Sequence, residues 1–288
     1  MIPVKSLTDF LKNVCRFWWK TILDFYNAHG FIRSASLAYT TLLAIAPLSI
    51  IIISLVSFFP IFNRVIHQLE NFIFKNFVPH TGDQVLKALE RFQQHAHHLP
   101  WLSFIFMFFT AMMVLTTMES HLNELWGVSV KRSRSFGLSL LIHWAILTIG
   151  PILLCSSLFL SSLVLSNKWI ALLPFSQLAV ILPITCSFLA YMFLYVTLPC
   201  CKVKFAHAAL GAFFAAIAFE AAKIGFGVYT TMMPTYSLVY GTLAVIPLFL
   251  LWLYLASVIF LLGSQVVNTL RLRYESAQAR KEAILSQA

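Results

Sequence analysis

Glu220 and Lys223 stand out in this 288-residue chain because each puts a charge into an otherwise apolar run. An ionisable side chain is costly in hydrocarbon and persists there when it pairs, meets water or binds something. Three positions apart on a helix, the two can reach each other. At about 100° per residue, Ala209, Ala216, Glu220, Lys223 and Gly227 share one sector, and Phe213, Ile217, Ile224 and Val228 share a neighbouring one suited to lipid. A stripe of small residues, Gly211, Ala215, Ala218, Ala222 and Gly225, runs on the far side and lets helices pack on two faces. The pair then points into a bundle. In one view it belongs to a path for an ion or substrate, with Tyr236 and Tyr240 near the outer end completing a candidate substrate-binding set. In the other it is a neutralised internal strut, or Lys223 extends to the interface.

Four prolines fall inside apolar blocks: Pro47, Pro151, Pro183 and Pro247. Each deletes one backbone hydrogen bond and is expected to kink its helix. Freed carbonyls line ion sites in some transporters, though most membrane prolines only bend the helix. His95, His97 and His98 form a short H-A-H-H cluster without supporting ligands, and no metal site is expected from it. His143, beside Trp144, reads as a hydrogen-bonded interior residue more readily than as a proton relay. The chain lacks a nucleophile elbow, a phosphate-binding glycine loop, a dinucleotide fingerprint and an H-E-x-x-H motif, so neither an enzyme nor a cofactor is expected.

The elements that must position these residues are membrane helices. Hydrophobic residues make up 60% of the chain and charged residues 10%, against roughly 25% charged in a soluble domain. The apolar residues gather in six long blocks, about 35–59, 101–118, 137–166, 176–198, 205–229 and 241–267. The fold expected is an all-α polytopic bundle over 35–267, preceded by an amphipathic segment, 1–34, and followed by a polar tail, 268–288. Basic residues decide its orientation. Lys5, Lys12, Arg16, Lys20, Arg33, Lys131, Arg132, Arg134, Lys202, Lys204, Arg271, Arg273, Arg280 and Lys281 fall on one side. Arg64, Lys75, Lys87, Arg91 and Lys168 fall on the other, and Lys223 is inside a span. The excess places both termini in the cytoplasm.

The formal charge of +10 suits topology and anionic lipid rather than nucleic acid. Leu7, Phe10, Leu11, Val14 and Trp18 recur at helical spacing among basic residues, as in a helix lying in the head-group layer or binding a partner. The 60–100 loop carries two further amphipathic patterns, around Ile66, Leu69 and Ile73 and around Val85, Leu89 and Phe92. After about residue 268 the last span is expected to continue briefly and then fray. Five cysteines at irregular spacing, Cys15, Cys155, Cys186, Cys200 and Cys201, form no disulfide framework, and the N-terminus does not read as a cleaved signal peptide.

Several ordered segments together carry a family resemblance: S-L-A-Y-T-T-L-L-A-I-A-P at 36–47, F-I-F-K-N-F-V-P-H-T-G-D at 72–83, L-T-I-G-P at 147–151, G-A-F-F-A-A-I-A-F-E-A-A-K at 211–223, P-T-Y-S-L-V-Y-G-T-L-A-V-I-P at 234–247, L-W-L-Y at 251–254 and L-L-G at 261–263. The chain resembles the YihY/BrkB family of bacterial inner-membrane proteins, once labelled ribonuclease BN. The resemblance implies six spans with cytoplasmic termini; it supplies no established activity, and a transporter or envelope-lipid role is only suggested for relatives. Ribonuclease chemistry would need carboxylates or histidines around metal ions in a wet site, and none is apparent. The leading expectation is a transport-type protein for an ion, lipid or anionic solute, with membrane lipids as partners and homo-oligomers compatible with the small-residue stripes. Its rival is a non-transporting envelope scaffold, and an intramembrane enzyme acting on lipid is the least supported.

Overall fold

The structure, a computed structural model, describes residues 4–57, 101–128, 136–166, 176–232 and 245–286. Seven helices account for nearly all of them: α1 (Val4–Asn27), α2 (Gly30–Ser57), α3 (Trp101–Leu125), α4 (Phe136–Ser166), α5 (Ser176–Thr197), α6 (Phe205–Met232) and α7 (Val245–Leu285). No strand occurs among the described residues. The expected helices around 60–100, the His95–His98 cluster, Tyr236 and Tyr240 lie outside them.

Each helix after α1 fills one of the expected apolar blocks, but the ends shift. α3 runs past the apolar part of its block, through Glu119 and Glu124, and stops where Gly127 adopts a positive φ of 65°. α7 does not fray soon after 268; it continues unbroken to Leu285, because its tail is rich in Ala, Arg, Glu and Gln, all good helix formers. Among the described residues, Phe205–Thr230 and Ile246–Leu285 are by length and composition long and apolar enough to cross a membrane, with shorter apolar stretches at Ser139–Leu154 and Ile181–Thr197.

Of the prolines expected to kink their helices, Pro183 lies well inside α5, and Pro247 lies two residues after the described part of α7 begins. Pro47 and Pro151 fall within α2 and α4.

Helix neighbours run in the order α3, α2, α7, α6, α5, α4, each packed broadly on the next, whereas α3 and α4 meet only narrowly. α6 uses two faces, one against α5 and one against α7, as its small residues foretell. Phe213, Ile217, Ile224 and Val228 all face outward, the sector assigned to lipid. The small-residue stripe holds at Gly211 and Ala215, which are buried, but Gly225 at its far end is exposed.

An aromatic column fills the space between α5, α6 and α7. Tyr195 is fully buried, stacks on Phe260 at 5.8 Å and donates its hydroxyl to the Phe260 carbonyl at 2.8 Å. Tyr191 meets Phe219 edge-on, and Phe219 and Phe226 both lean on Trp252. α6 and α7 approach at backbone distance here. A Cβ on Gly263 would overlap the Tyr195 hydroxyl and come within 2.8 Å of the Ala215 Cβ; one on Gly211 would overlap Val267 and lie 2.9 Å from the Gly263 carbonyl.

α1 lies against the end of the bundle that carries both chain termini. Thr21 bonds Thr269 at 3.4 Å, Trp18 packs on Phe214 at 4.6 Å, and the Arg273 guanidinium covers Phe17 at 4.8 Å. Phe25 is buried while Trp19, Ile22, Leu23 and Tyr26 stay exposed beside the basic flank of Lys12, Arg16 and Lys20. Trp18, the last residue of the expected apolar stripe, and Phe25 farther along the helix thus face the bundle.

The close α6–α7 approach predicts that Gly263→Val costs about 1–3 kcal/mol by overpacking and lowers the melting temperature in detergent. Gly225→Ala, where an added Cβ meets nothing within 4 Å, is expected to leave the melt unchanged or raise it slightly. Equal melting temperatures for wild type and Gly263→Val would contradict the packing described.

Candidate functional site

Glu220 sits fifteen residues into α6, about 22 Å along the helix from Phe205. Its carboxylate pairs with the Lys223 ammonium, 2.7 Å from Oε1 to Nζ, as the i, i+3 spacing requires. Two hydroxyls from other helices complete the arrangement. Ser187 of α5 donates to Glu220 Oε1 at 2.7 Å, and Ser157 of α4 lies 3.0 Å from the same oxygen. Lys223 Nζ also donates to Ser157 Oγ at 3.0 Å, and the two serine oxygens are 2.6 Å apart. Ser157 further reaches the Pro183 carbonyl at 3.2 Å. One proton per hydroxyl cannot serve all these contacts together, so the serines choose among acceptors by rotating.

The pair is largely enclosed, with side-chain exposures of 15% for Glu220 and 10% for Lys223. Phe219 lies against it, 5.3 Å from Lys223 Nζ to the ring centre. Such a centre can do two things. It can hold the three helices α4, α5 and α6 in register through neutralised charge, or it can exchange one internal partner for an external ion of the same sign.

A second polar centre lies nearer the end of the bundle where α3 ends. Glu119 of α3 has Oε2 3.2 Å from Nε2 of His143 on α4, and His143 Nδ1 is 2.6 Å from the Ser139 carbonyl. Cys200, in the connection between α5 and α6, donates its thiol to Glu119 Oε1 at 3.1 Å, and its N–H bonds Asn123 Oδ1 at 2.8 Å. Asn123, fully buried, donates from Nδ2 to the Glu119 carbonyl at 2.8 Å. Beyond it, Glu124 pairs with Arg33 of α2 and accepts from Ser120 at 3.0 Å.

The sequence expectations thus meet the structure unevenly. Glu220 and Lys223 do pair and do point inward; Tyr236 and Tyr240 lie outside the described residues. His143 is an interior hydrogen-bonded residue, buried at 2% exposure. Sequence reasoning missed Ser157 and Ser187, whose signal was faint: serines in apolar runs, Ser187 one helical turn after Pro183. It also missed the link from Glu119 to His143 and Cys200, which joins residues far apart in the chain. No group of three or more His, Cys, Asp or Glu side chains suited to a metal ion occurs among the described residues.

Known proteins resemble the chain along most of its length. A family model described as "Virulence factor BrkB" matches residues 21–284. A "UPF0761 membrane protein" of Chromohalobacter salexigens is 39% identical over 254 residues, covering 86% of this chain and 61% of the relative. One of Azotobacter vinelandii is 40% identical over 258 residues, covering 88% and 63%, and one of Vibrio campbellii is 38% identical over 243 residues, covering 83% and 77%. The chain therefore spans about three fifths of the length of the first two relatives. No solved structure matches. On the extent of the family match and the level of identity, this chain belongs to the BrkB family of bacterial membrane proteins.

Proposed function

We propose that this protein is a six-span, multi-pass protein of the bacterial inner membrane, with cytoplasmic termini, that carries an ion, a lipid or an anionic solute past the Glu220–Lys223 centre. The observation that supports the reading is the charged pair itself, held in an apolar helix and bridged by hydroxyls to two neighbouring helices. The six spans rest on the six apolar blocks, the orientation on the excess of basic residues on one side, and the membrane setting on the relatives.

Within this reading the pair is exchangeable. An anionic group, free or on a lipid, takes the place of Glu220 at the Lys223 ammonium. Ser157 and Ser187 then rotate to bond the displaced carboxylate or the newcomer. Loss of the Glu220 charge removes one side of this exchange.

One observation favours a second reading. Lys223, Ser157 and Ser187 already surround Glu220 from within the protein, as a structural strut would have it, which suits an envelope scaffold that transports nothing.

Flux of ions, lipid probes and anionic solutes in proteoliposomes of the purified protein decides between them. Glu220→Gln, reconstituted folded and at matched density, is expected to lose a flux that the wild type shows. A panel without flux in either protein removes the transport reading.

Stability supplies an independent measure. Lys223→Met leaves the Glu220 charge buried without its partner and is expected to cost about 3–5 kcal/mol, whereas Glu220→Leu with Lys223→Met costs clearly less. Additive losses in thermal melts would show that the two charges act separately. For orientation, a cysteine introduced as Ser286→Cys in a cysteine-free background is expected to react with an impermeant maleimide only after the inner membrane is opened. Labelling in intact spheroplasts would reverse the topology.

A further inference from the structure

α1 runs across the bundle and not along any one of its helices. Only Ala28 and His29 join it to α2, with His29 at a positive φ of 56°, yet the two helices meet narrowly and so diverge from their corner. From that corner toward the N-terminus, the contacts of α1 pass from helix to helix. Phe25 packs on Phe31 of α2 at 5.1 Å, Thr21 bonds Thr269 of α7, and Trp18 packs on Phe214 of α6. α2, α7 and α6 are consecutive neighbours in the bundle. In a membrane protein, a helix laid across spans beside the start of one of them lies in the layer where head groups meet acyl chains.

The sides of α1 left free suit both parts of that layer. At about 100° per residue, Phe17, Thr21, Phe25 and Trp18 take an arc of about 100° that faces the bundle. Beside it runs an apolar arc of Cys15, Ile22, Tyr26, Trp19 and Leu23, all exposed, with Trp19 at 72% and Tyr26 at 67%. Indole and phenol rings, apolar with one polar edge, favour the membrane interface. Lys12, Arg16 and Lys20 follow round the helix, each exposed and each about 6 Å along from the one before. Arg273 of α7, over Phe17, adds a fourth cation; Asp9 shares the basic flank, and Asp24 is half-buried between that flank and the bundle.

An apolar arc bordered by a cationic row matches a bilayer surface that carries anionic phosphates, since acyl chains take the apolar side chains and phosphates the cations. A soluble acidic partner would answer only the row, and a second copy placed face to face would set like charges together. We propose that α1 is a lipid-reading helix, with its Cys15–Tyr26 face among acyl chains and Lys12, Arg16 and Lys20 gathering anionic phospholipid head groups beside α2, α7 and α6. This role needs a membrane protein, as the family is, and involves neither the Glu220 centre nor transport.

Quenching by brominated acyl chains, which acts at contact, tests it in the full-length protein in nanodiscs of equal phosphatidylglycerol and phosphatidylcholine. A fluorophore sits on Cys15, with the other four cysteines changed to serine. Bromine is carried by one lipid or by the other while the composition stays fixed. Quenching is expected to be stronger by about twofold or more when the anionic lipid carries the bromine. At about 1 M salt, where charges are screened within a few ångströms, the two lipids are expected to quench alike. The same equality is expected in Lys12→Gln, Arg16→Gln, Lys20→Gln combined, whose exposed positions leave the fold intact. Cys15 is the exposed thiol among the described cysteines, so limiting label on the unaltered chain serves if the serine background does not fold. Equal quenching by the two lipids at low salt, or a preference for the anionic lipid that survives in the triple variant, overturns the proposal. So does quenching by neither lipid, which would put a protein partner, a second copy or water against this face. Protein that does not enter nanodiscs at all overturns the membrane setting, and the proposal with it.

Discussion

A carboxylate and an ammonium buried in an apolar helix cannot stand apart, and much of this bundle is arranged around that constraint. Lys223 answers Glu220 from the next turn of α6, while Ser157 and Ser187 bring α4 and α5 to the same oxygen. Pro183 precedes Ser187 by one turn, and its carbonyl is a further acceptor for Ser157, so the proline sits where α5 must meet α4. Alanines at 212, 215 and 216, all fully buried, let the neighbours come close enough for short side chains to reach the charge. Breaking the pair would therefore disturb three helices together.

The two polar centres share one face of α4. His143 and Ser157 are separated by fourteen residues, about 21 Å of helix and nearly four whole turns, which returns them to the same side. Between them the buried stripe is apolar or bare, with Ile146, Leu147 and Gly150. The two centres are thus kept from direct contact by apolar side chains. Any influence of one on the other has to pass through movement of α4 as a body.

Legibility in the sequence followed the range of the interaction. Local patterns read well: apolar blocks gave the helices, and projection at helical spacing gave the outward face of α6 and the Glu220–Lys223 pairing, since all three depend on residues within a few turns. Contacts across the chain did not read. Glu119, His143 and Cys200 lie in three separate segments, and nothing in any one of them marks the others as partners. The helices α3 and α7 outrun the apolar pattern for a different reason. Hydropathy ends where polar residues begin, but helix propensity does not, so Glu124 and the Arg- and Glu-rich tail continue a helix that the apolar pattern abandons.

α7 turns one close contact into a long reach. With Gly211 and Gly263 at backbone distance, α6 and α7 leave no room to slide and behave as one rigid unit. From Gly263 the helix runs on to Leu285, about 33 Å, and most of that length is exposed. Its contacts with α1 run out at Arg273, so the free arm is the stretch from there to Leu285, about 18 Å, and a tilt of about 10° of the α6–α7 unit would swing the far tip by roughly 3 Å over that arm. A small rearrangement around the α6 charges would thus be displayed, magnified, well outside the packed helices.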